Sequence, residues 1–216
     1  MPKIHITPVV LNLLIINALV FIAINIFPEQ LLHYFELFKL DWIFDRPNYI
    51  NEQGVPVGFN PVQLVTSFFS QQAFWHFIMN MLALVSFGPL LEMVMKPKRF
   101  LLAYLVIGLV SSFIVAVFDP SPNPIIGASG VLFGLFVLYA YYFPQAKMGL
   151  LFIPGSFKVR NFVIVAAILS TVLIIVEQVT NESMGGISHA GHLSGMIVGF
   201  AYYNFGKLII ATKAKR

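Results

Sequence analysis

The sequence predicts an all-α, polytopic membrane protein with six transmembrane helices and a long membrane-associated outer loop between the first two. Hydrophobic residues fill 58% of the 216 positions, charged residues only 10%, and the mean hydropathy is +0.85. Soluble domains carry about 25% charged residues. Apolar runs of membrane-spanning length recur along the chain, and basic residues cluster between them. These three observations exclude a disordered chain and argue against an ordinary water-soluble globule.

Six apolar runs are candidate spans, because a hydrocarbon core of about 30 Å needs about 20 residues of helix. The first run has no small-residue cleavage site after it, so it is interpreted as a retained span rather than a signal peptide. The fourth run is short. The chain carries no convincing internal repeat or linker, so a single domain over 1–216 is expected. The runs lie at 9–27, 73–95, 100–118, 127–143, 161–179 and 190–211.

The charged residues predict how these spans are oriented. With six spans, 11 of the 13 lysines and arginines fall on one side, here called the basic side, which is cytoplasmic by the positive-inside rule. Both termini are then inside. The 11 residues are Lys3, Lys96, Lys98, Arg99, Lys147, Lys158, Arg160, Lys207, Lys213, Lys215 and Arg216.

The remaining composition excludes several function classes. The net charge of +4 sits in short clusters between apolar runs and does not form a nucleic-acid patch. The absence of cysteine from the sequence excludes disulfides, thiolate catalysis and Cys-based metal sites. Segment 28–72 lies on the outer side and mixes aromatic and aliphatic residues with scattered charges. We expect short amphipathic helices there, lying in the outer interface.

Three groups of polar or small residues inside the runs are candidates for function, because polar side chains in a membrane are costly. His76 and Asn80 are four residues apart and share one helix face. Ser129 lies in the Gly-Ala-Ser-Gly stretch 127–130 at the start of a helix. His192 precedes a small-residue face with Gly195. Each group alone is equally well explained by helix packing or interhelical hydrogen bonds.

A shared depth connects the three groups. The residues that mark the basic boundary are Pro144, Lys207 and Glu92. Ser129 lies 15 residues before Pro144, His192 lies 15 before Lys207, and His76 lies 16 before Glu92. At 1.5 Å per residue, each is about 22–24 Å from that boundary. Unrelated packing residues do not need a common depth, whereas a single site does. If the fourth and sixth helices pack through their glycines, Ser129 and His192 meet.

The residue types fit nucleophilic catalysis. Neutral histidine can take the proton of a serine hydroxyl near pH 7, so His192 could activate Ser129. The side chains of His76 and Asn80 and the backbone N–H of Ser129 could donate to the resulting oxyanion. Glu177 is the one carboxylate near this depth. It could complete a triad only if its face of the fifth helix turns inward.

The three motifs, in this order and spacing, resemble those of the rhomboid intramembrane serine proteases. The HxxxN motif is found at 76–80, GxSG at 127–130, and the final HxxGxxxG at 192–199. The resemblance covers essentially the whole chain. It implies that Ser129 is the nucleophile and His192 the general base. It further implies an oxyanion hole formed by His76, Asn80 and the backbone of Ser129, with no metal or cofactor.

The resemblance also implies roles for the surroundings of the site. The segment 180–188 would cap it, the fifth helix would gate substrate access, and loop 28–72 would match a membrane-embedded first loop. Glu92, near the basic end of the second helix, would be structural. Residues expected to pack near the site are Gly127, Gly130, Phe133 and Gly195.

Three positions depart from the family pattern. Gly191 replaces the alanine that commonly precedes the base. Phe133 replaces a tyrosine that stacks on the histidine; it can still stack but lacks the hydroxyl. Trp42 is followed by Ile43 where many members have arginine. His189 lies three residues before His192, but the spacing of the glycines selects His192.

We therefore expect an integral membrane serine endopeptidase that cleaves transmembrane protein substrates through a Ser–His dyad and an acyl-enzyme. Its expected partners are those substrates and the lipid bilayer, without nucleic acid; the oligomeric state is left open. The expected location is a bacterial inner membrane. The main rival is a non-enzymatic membrane protein that transports a solute or binds client helices. A zinc site formed by His76, His189 and His192 is a weaker rival.

Overall fold

Helices dominate the structure, a computed structural model that describes residues 5–40, 49–50, 56–119, 124–150, 153–180 and 187–213. A 3-10 turn, Ser67–Phe69, directly follows the short helix that ends at Thr66. The helices are α1 Pro8–Ile26, α2 Pro28–Phe35, α3 Gln63–Thr66, α4 Phe74–Met95, α5 Pro97–Phe118, α6 Ser129–Tyr142, α7 Val159–Thr180 and α8 His189–Lys213. The strands are β1 Tyr49–Ile50, β2 Pro56–Val57, β3 Lys147–Leu150 and β4 Ile153–Lys158.

Four of these helices, α1, α4, α5 and α7, are long and apolar enough to cross a membrane. They coincide with four of the predicted runs, so the helical membrane class is confirmed to that extent. The apolar helix α6 has 14 residues and a length of about 21 Å. A helix of this length is shorter than the hydrocarbon core of about 30 Å. Helix α8 has 25 residues.

Two short antiparallel hairpins depart from the all-α prediction. Strands β1 and β2 pair between α2 and α3, and β3 and β4 pair between α6 and α7. The second hairpin forms where Gly149 and Gly155 interrupt the chain between two apolar runs, and Gly155 has a φ of +105°. Such glycines disfavour helix and allow a tight return of the chain.

Segment 28–72 is organised by one buried glutamine. The Gln63 amide donates to the carbonyls of His33 (2.7 Å) and Gly58 (3.2 Å). Its oxygen accepts from the backbone N–H of Asn60 and of Phe38, at 3.0 and 3.3 Å. Helix α2 is a short helix of eight residues within this segment; its position relative to a membrane stays a prediction. The residues Trp42 and Ile43 lie outside the described part of the chain, as do many of their neighbours.

Helices α6 and α8 approach each other through glycines. A Cβ built on Gly195 would lie 1.9 Å from the carbonyl oxygen of Gly130. One turn further along, a Cβ on Gly199 would lie 2.4 Å from the carbonyl oxygen of Gly134. The two GxxxG pairs therefore face each other in register, and side chains at these positions would force the helices apart.

Helix α1 is anchored to α4 by a buried carboxylate. Glu92 accepts hydrogen bonds from the backbone N–H groups of Val9 (3.1 Å) and Val10 (2.9 Å) and from the hydroxyl of Thr7. These backbone groups belong to the first turn of α1, where helical N–H groups have no partner within the helix. A negative charge is also favoured at that end of the helix dipole. Glu92 thus has the structural setting that the sequence predicted for it.

Candidate active site

Ser129 is the first residue of α6, and the backbone before it is shaped by glycine. Gly127 has a φ of +136°, a region that side-chain-bearing residues rarely adopt. Its N–H donates to the carbonyl of Ser67 at 3.1 Å, which fixes the chain against segment 28–72. The serine side chain is therefore presented at the start of the helix, where the positive end of the helix dipole and unpaired N–H groups lie.

The structure brings Ser129 and His192 together. The Nε2 atom of His192 lies 2.9 Å from the Oγ atom of Ser129. If the neutral ring carries its proton on Nδ1, Nε2 accepts the hydrogen bond of the serine hydroxyl. The ring of Phe133 stacks on the imidazole, with centroids 4.1 Å apart and planes 29° apart. Phe133 therefore packs against the face of the imidazole ring, as a tyrosine would, but it has no hydroxyl.

His76 lies close to the glycine that precedes the serine by two positions. A Cβ built on Gly127 would be 3.1 Å from the Cε1 atom of His76 and 3.6 Å from the Oγ atom of Ser129. The imidazole and the serine hydroxyl thus flank the same glycine. A larger residue than glycine at this point would contact the His76 ring closely as well as strain the backbone.

Asn80 is held one turn further along α4. Its side chain is buried, and its Nδ2 atom donates to the Oε1 atom of Gln71 at 2.8 Å. The amide nitrogen carries two protons, so one remains for another acceptor. Gln71 in turn donates from Nε2 to the Oδ1 atom of Asn17 on α1, at 3.2 Å. Both Gln71 and Asn17 are fully buried.

The sequence pattern does not indicate a role for Gln71. It lies just before the second apolar run, in a polar stretch that carries no helical period, and so nothing marked it. Its bridging position becomes apparent only in the fold, where Gln71 lies between Asn17 and Asn80. A buried primary amide that both donates and accepts is the expected bridge between two other buried amides.

The side chain of Glu177 faces the helix bundle. It makes an ion-pair contact with His189. The Oε1 atom of Glu177 lies 3.9 Å from the Nε2 atom of His189. The His189 ring is perpendicular to that of His192, with centroids 6.2 Å apart. Of these two histidines, it is His192 that is hydrogen-bonded to Ser129. In the described ranges, no three His, Asp or Glu side chains converge as a metal site would require.

The start of α8 is fastened to the end of α5. The Ser188 hydroxyl accepts from the N–H of Gly191 at 2.9 Å and donates to the Oδ2 atom of Asp119 at 3.1 Å. These contacts fix the first turn of α8, which carries His192. Most of the predicted cap, at 181–186, lies outside the described residues.

A small cavity adjoins the candidate nucleophile. Its volume is about 30 Å³, and its lining includes Ser67, Ser111 and Ser188 as well as Ser129. A cavity of this volume, lined in part by serine hydroxyls, is large enough to hold a water molecule.

Comparisons with known proteins identify the family. A model of the rhomboid domain matches residues 59–206. The mitochondrial "Rhomboid protein 1" of Saccharomyces cerevisiae is 33% identical over 65% of this chain and 40% of its own length. The mitochondrial "Presenilin-associated rhomboid-like protein A" of Danio rerio is 27% identical over 69% of this chain and 39% of its length. The "Rhomboid protease GluP" of Bacillus subtilis is 31% identical over 58% and 22%, respectively.

These alignments span about two fifths or less of the relatives' lengths. They also correct one expectation. The predicted location in a bacterial inner membrane is wrong, because two of these relatives, aligned over 65% and 69% of the chain, are mitochondrial proteins. The family match covers more than half of the chain and includes all three sequence motifs. The chain therefore belongs to the rhomboid family.

Proposed function

We propose that this protein is an intramembrane serine endopeptidase that cleaves transmembrane protein substrates. The observation that carries the proposal is the 2.9 Å contact between Ser129 Oγ and His192 Nε2 at the start of an apolar helix. The relative named as a rhomboid protease supports a proteolytic activity. The mitochondrial relatives support a mitochondrial membrane as its location.

In this proposal, His192 takes the proton of the Ser129 hydroxyl as the oxygen attacks the carbonyl carbon of the scissile peptide bond. The carbonyl oxygen becomes an oxyanion, which accepts hydrogen bonds from His76, Asn80 and the Ser129 N–H. His192 then gives its proton to the leaving amine, and the C–N bond breaks. Water deprotonated by His192 hydrolyses the acyl-enzyme. No step requires a metal or a cofactor.

The proposal includes a topology. Helices α6 and α8 join α1, α4, α5 and α7 as spans of one domain over 1–216, with segment 28–72 associated with the outer face of the membrane. A helical substrate hides its backbone carbonyls in hydrogen bonds, so it must unwind locally before attack. We therefore expect preferred cleavage near glycine and other helix-weakening residues.

Labelling with a fluorophosphonate probe tests the proposal, because only an activated serine reacts with it. Detergent-purified wild type is expected to be labelled, whereas Ser129→Ala and His192→Ala are expected to remain unlabelled. Ser86→Ala is the matched control, because the Ser86 hydroxyl is exposed on α4 and bonds its own helix backbone. Folded wild type that is not labelled would overturn the proposal and favour a protein that only binds client helices.

We further propose that Gln71 is a positioning residue, because it fixes the amide of Asn80. Gln71→Met removes both hydrogen bonds of the bridge while keeping a similar volume. We expect kcat to fall about 10- to 100-fold, because an oxyanion donor loses its alignment, and KM to change little. Cleavage kinetics on a transmembrane substrate in liposomes would measure both constants.

A rescue variant separates positioning from a purely structural role. Gln71→Glu, when protonated in this buried setting, can accept from Asn80 and donate to Asn17. It is expected to recover most of the lost kcat. Equal losses of kcat in the Met and Glu variants, each with an unchanged melting temperature, would contradict the positioning role.

A further inference from the structure

An apolar groove lies between α6, α7 and α8, separate from the small cavity beside Ser129. Its volume is about 580 Å³, within the range of about 300–1,000 Å³ typical of ligand pockets. The lining comes from residues within 137–144, 160–167 and 193–200. The three stretches are offset along the helices: Gly199 of α8 faces Gly134 of α6, so 193–200 lies nearer the start of α6 than 137–144 does.

The walls of the groove are apolar except at one end. Ala140, Ala167 and Met196 line its sides, and Arg160 is its one charged lining residue. Arg160 belongs to the first turn of α7, so the charge lies at the basic end of the groove. An amphipathic ligand with an anionic head and an apolar tail matches this distribution.

Two lysines add to the charge at this end. Lys147 and Lys158 are direct partners across the β3–β4 hairpin. Next to this pair of lysines, the N–H of Val159 donates a hydrogen bond to the carbonyl of Ala146 at 3.1 Å. The hairpin base is therefore fixed at the start of α7, next to Arg160. All three cationic side chains are exposed.

Lys147, Lys158 and Arg160 place three positive charges close together at this end of the groove. Like charges directly opposite on paired strands destabilise a hairpin. Within the described residues, no carboxylate forms an ion pair with Lys147, Lys158 or Arg160. An anion bound between them would remove the repulsion.

Helix α7 is packed against its neighbours over only a small part of its surface. Val159 and Ser170 are its buried residues, and one face of the helix borders the groove. A ligand tail in the groove would fill the space between α7 and the pair α6–α8.

We propose that this groove binds an anionic phospholipid. Its phosphate contacts Lys147, Lys158 and Arg160, and the upper part of one acyl chain lies against Ala140 and Ala167. Basic pockets between membrane helices on this side are suited to anionic headgroups. The lipid packs α7 against the bundle. This inference does not depend on the proteolytic activity.

Native mass spectrometry of the detergent-solubilised full chain tests the proposal. We expect phosphatidylglycerol to bind at least 10-fold more tightly than phosphatidylcholine with the same acyl chains. Arg160→Gln and the double variant Lys147→Gln/Lys158→Gln are each expected to reduce that preference several-fold. Lys98→Gln, an exposed cation at the start of α5, is the matched control and should retain it. Equal binding of the two lipids by wild type, or an equal loss in Lys98→Gln, would overturn the proposal.

A second arm distinguishes a lipid from a free phosphate. Ala140→Leu and Ala167→Leu fill the groove while leaving all three cations in place, and each is expected to weaken phosphatidylglycerol binding. Inorganic phosphate in large excess is expected to leave the lipid bound. Undiminished binding in the filled variants, or full displacement by phosphate, would show that the charges alone hold an anion and that the groove takes no lipid tail.

Discussion

Ser129→Ala is expected to lower the rate of cleavage of a transmembrane substrate by at least about a thousandfold. The reason is that, in the proposed mechanism, the acyl-enzyme forms on the Ser129 hydroxyl, which lies 2.9 Å from His192. His192→Ala is expected to cost a similar factor, because the serine then has no base. The double variant should be scarcely slower than either single variant, since groups that act as one unit are not additive.

Single-turnover kinetics in liposomes with a fluorogenic transmembrane substrate would measure these rates. Melting temperatures close to that of wild type would show that the losses are chemical. Multiplying losses in the double variant would mean that Ser129 and His192 act separately, which contradicts a dyad.

Gly195→Ala is expected to cause the largest structural loss. The added methyl group would lie 1.9 Å from the carbonyl oxygen of Gly130, whereas ordinary contacts begin at 3.4 Å. The two helices must therefore separate by about 1.5 Å at this point. Overpacking of this kind costs about 1–3 kcal/mol. A displacement of about 1 Å between catalytic groups also costs about 100-fold in rate.

Gly206→Ala is the matched control, because it lies on the same helix and nothing is within 4 Å of its added methyl group. It should melt at or slightly above the wild-type temperature, since alanine favours helix over glycine. Thermal unfolding in detergent and the cleavage assay would compare the two variants. Equal stability and activity in both would contradict the close helix contact.

Much of the fold follows from features that the sequence displays directly. The runs at 9–27, 73–95, 100–118 and 161–179 are long and apolar enough to be recognised alone, and four helices of the structure coincide with them. The family assignment, which rests on His76, Ser129 and His192 in order, is confirmed by the domain match. The chemical roles of these residues stay predictions.

Other features depend on contacts that a sequence does not display. Helix α7 is apolar around most of its surface, so its pattern did not indicate that Glu177 would turn inward toward His189. Gln71 gains its setting only from the approach of α1 to α4. The β3–β4 hairpin consists of strands too short to show a period, and its pairing is a tertiary result.

The carboxylate that anchors α1 has a consequence for how the protein is made. A chain is synthesised from its N-terminus, so α1 exists before Glu92 leaves the ribosome. The unpaired N–H groups of Val9 and Val10 are then already present when the carboxylate arrives. A carboxylate that would be costly to leave unpaired in lipid therefore has its donors on a segment made before it. The order of the helices along the chain thus matches the order in which their partners are needed.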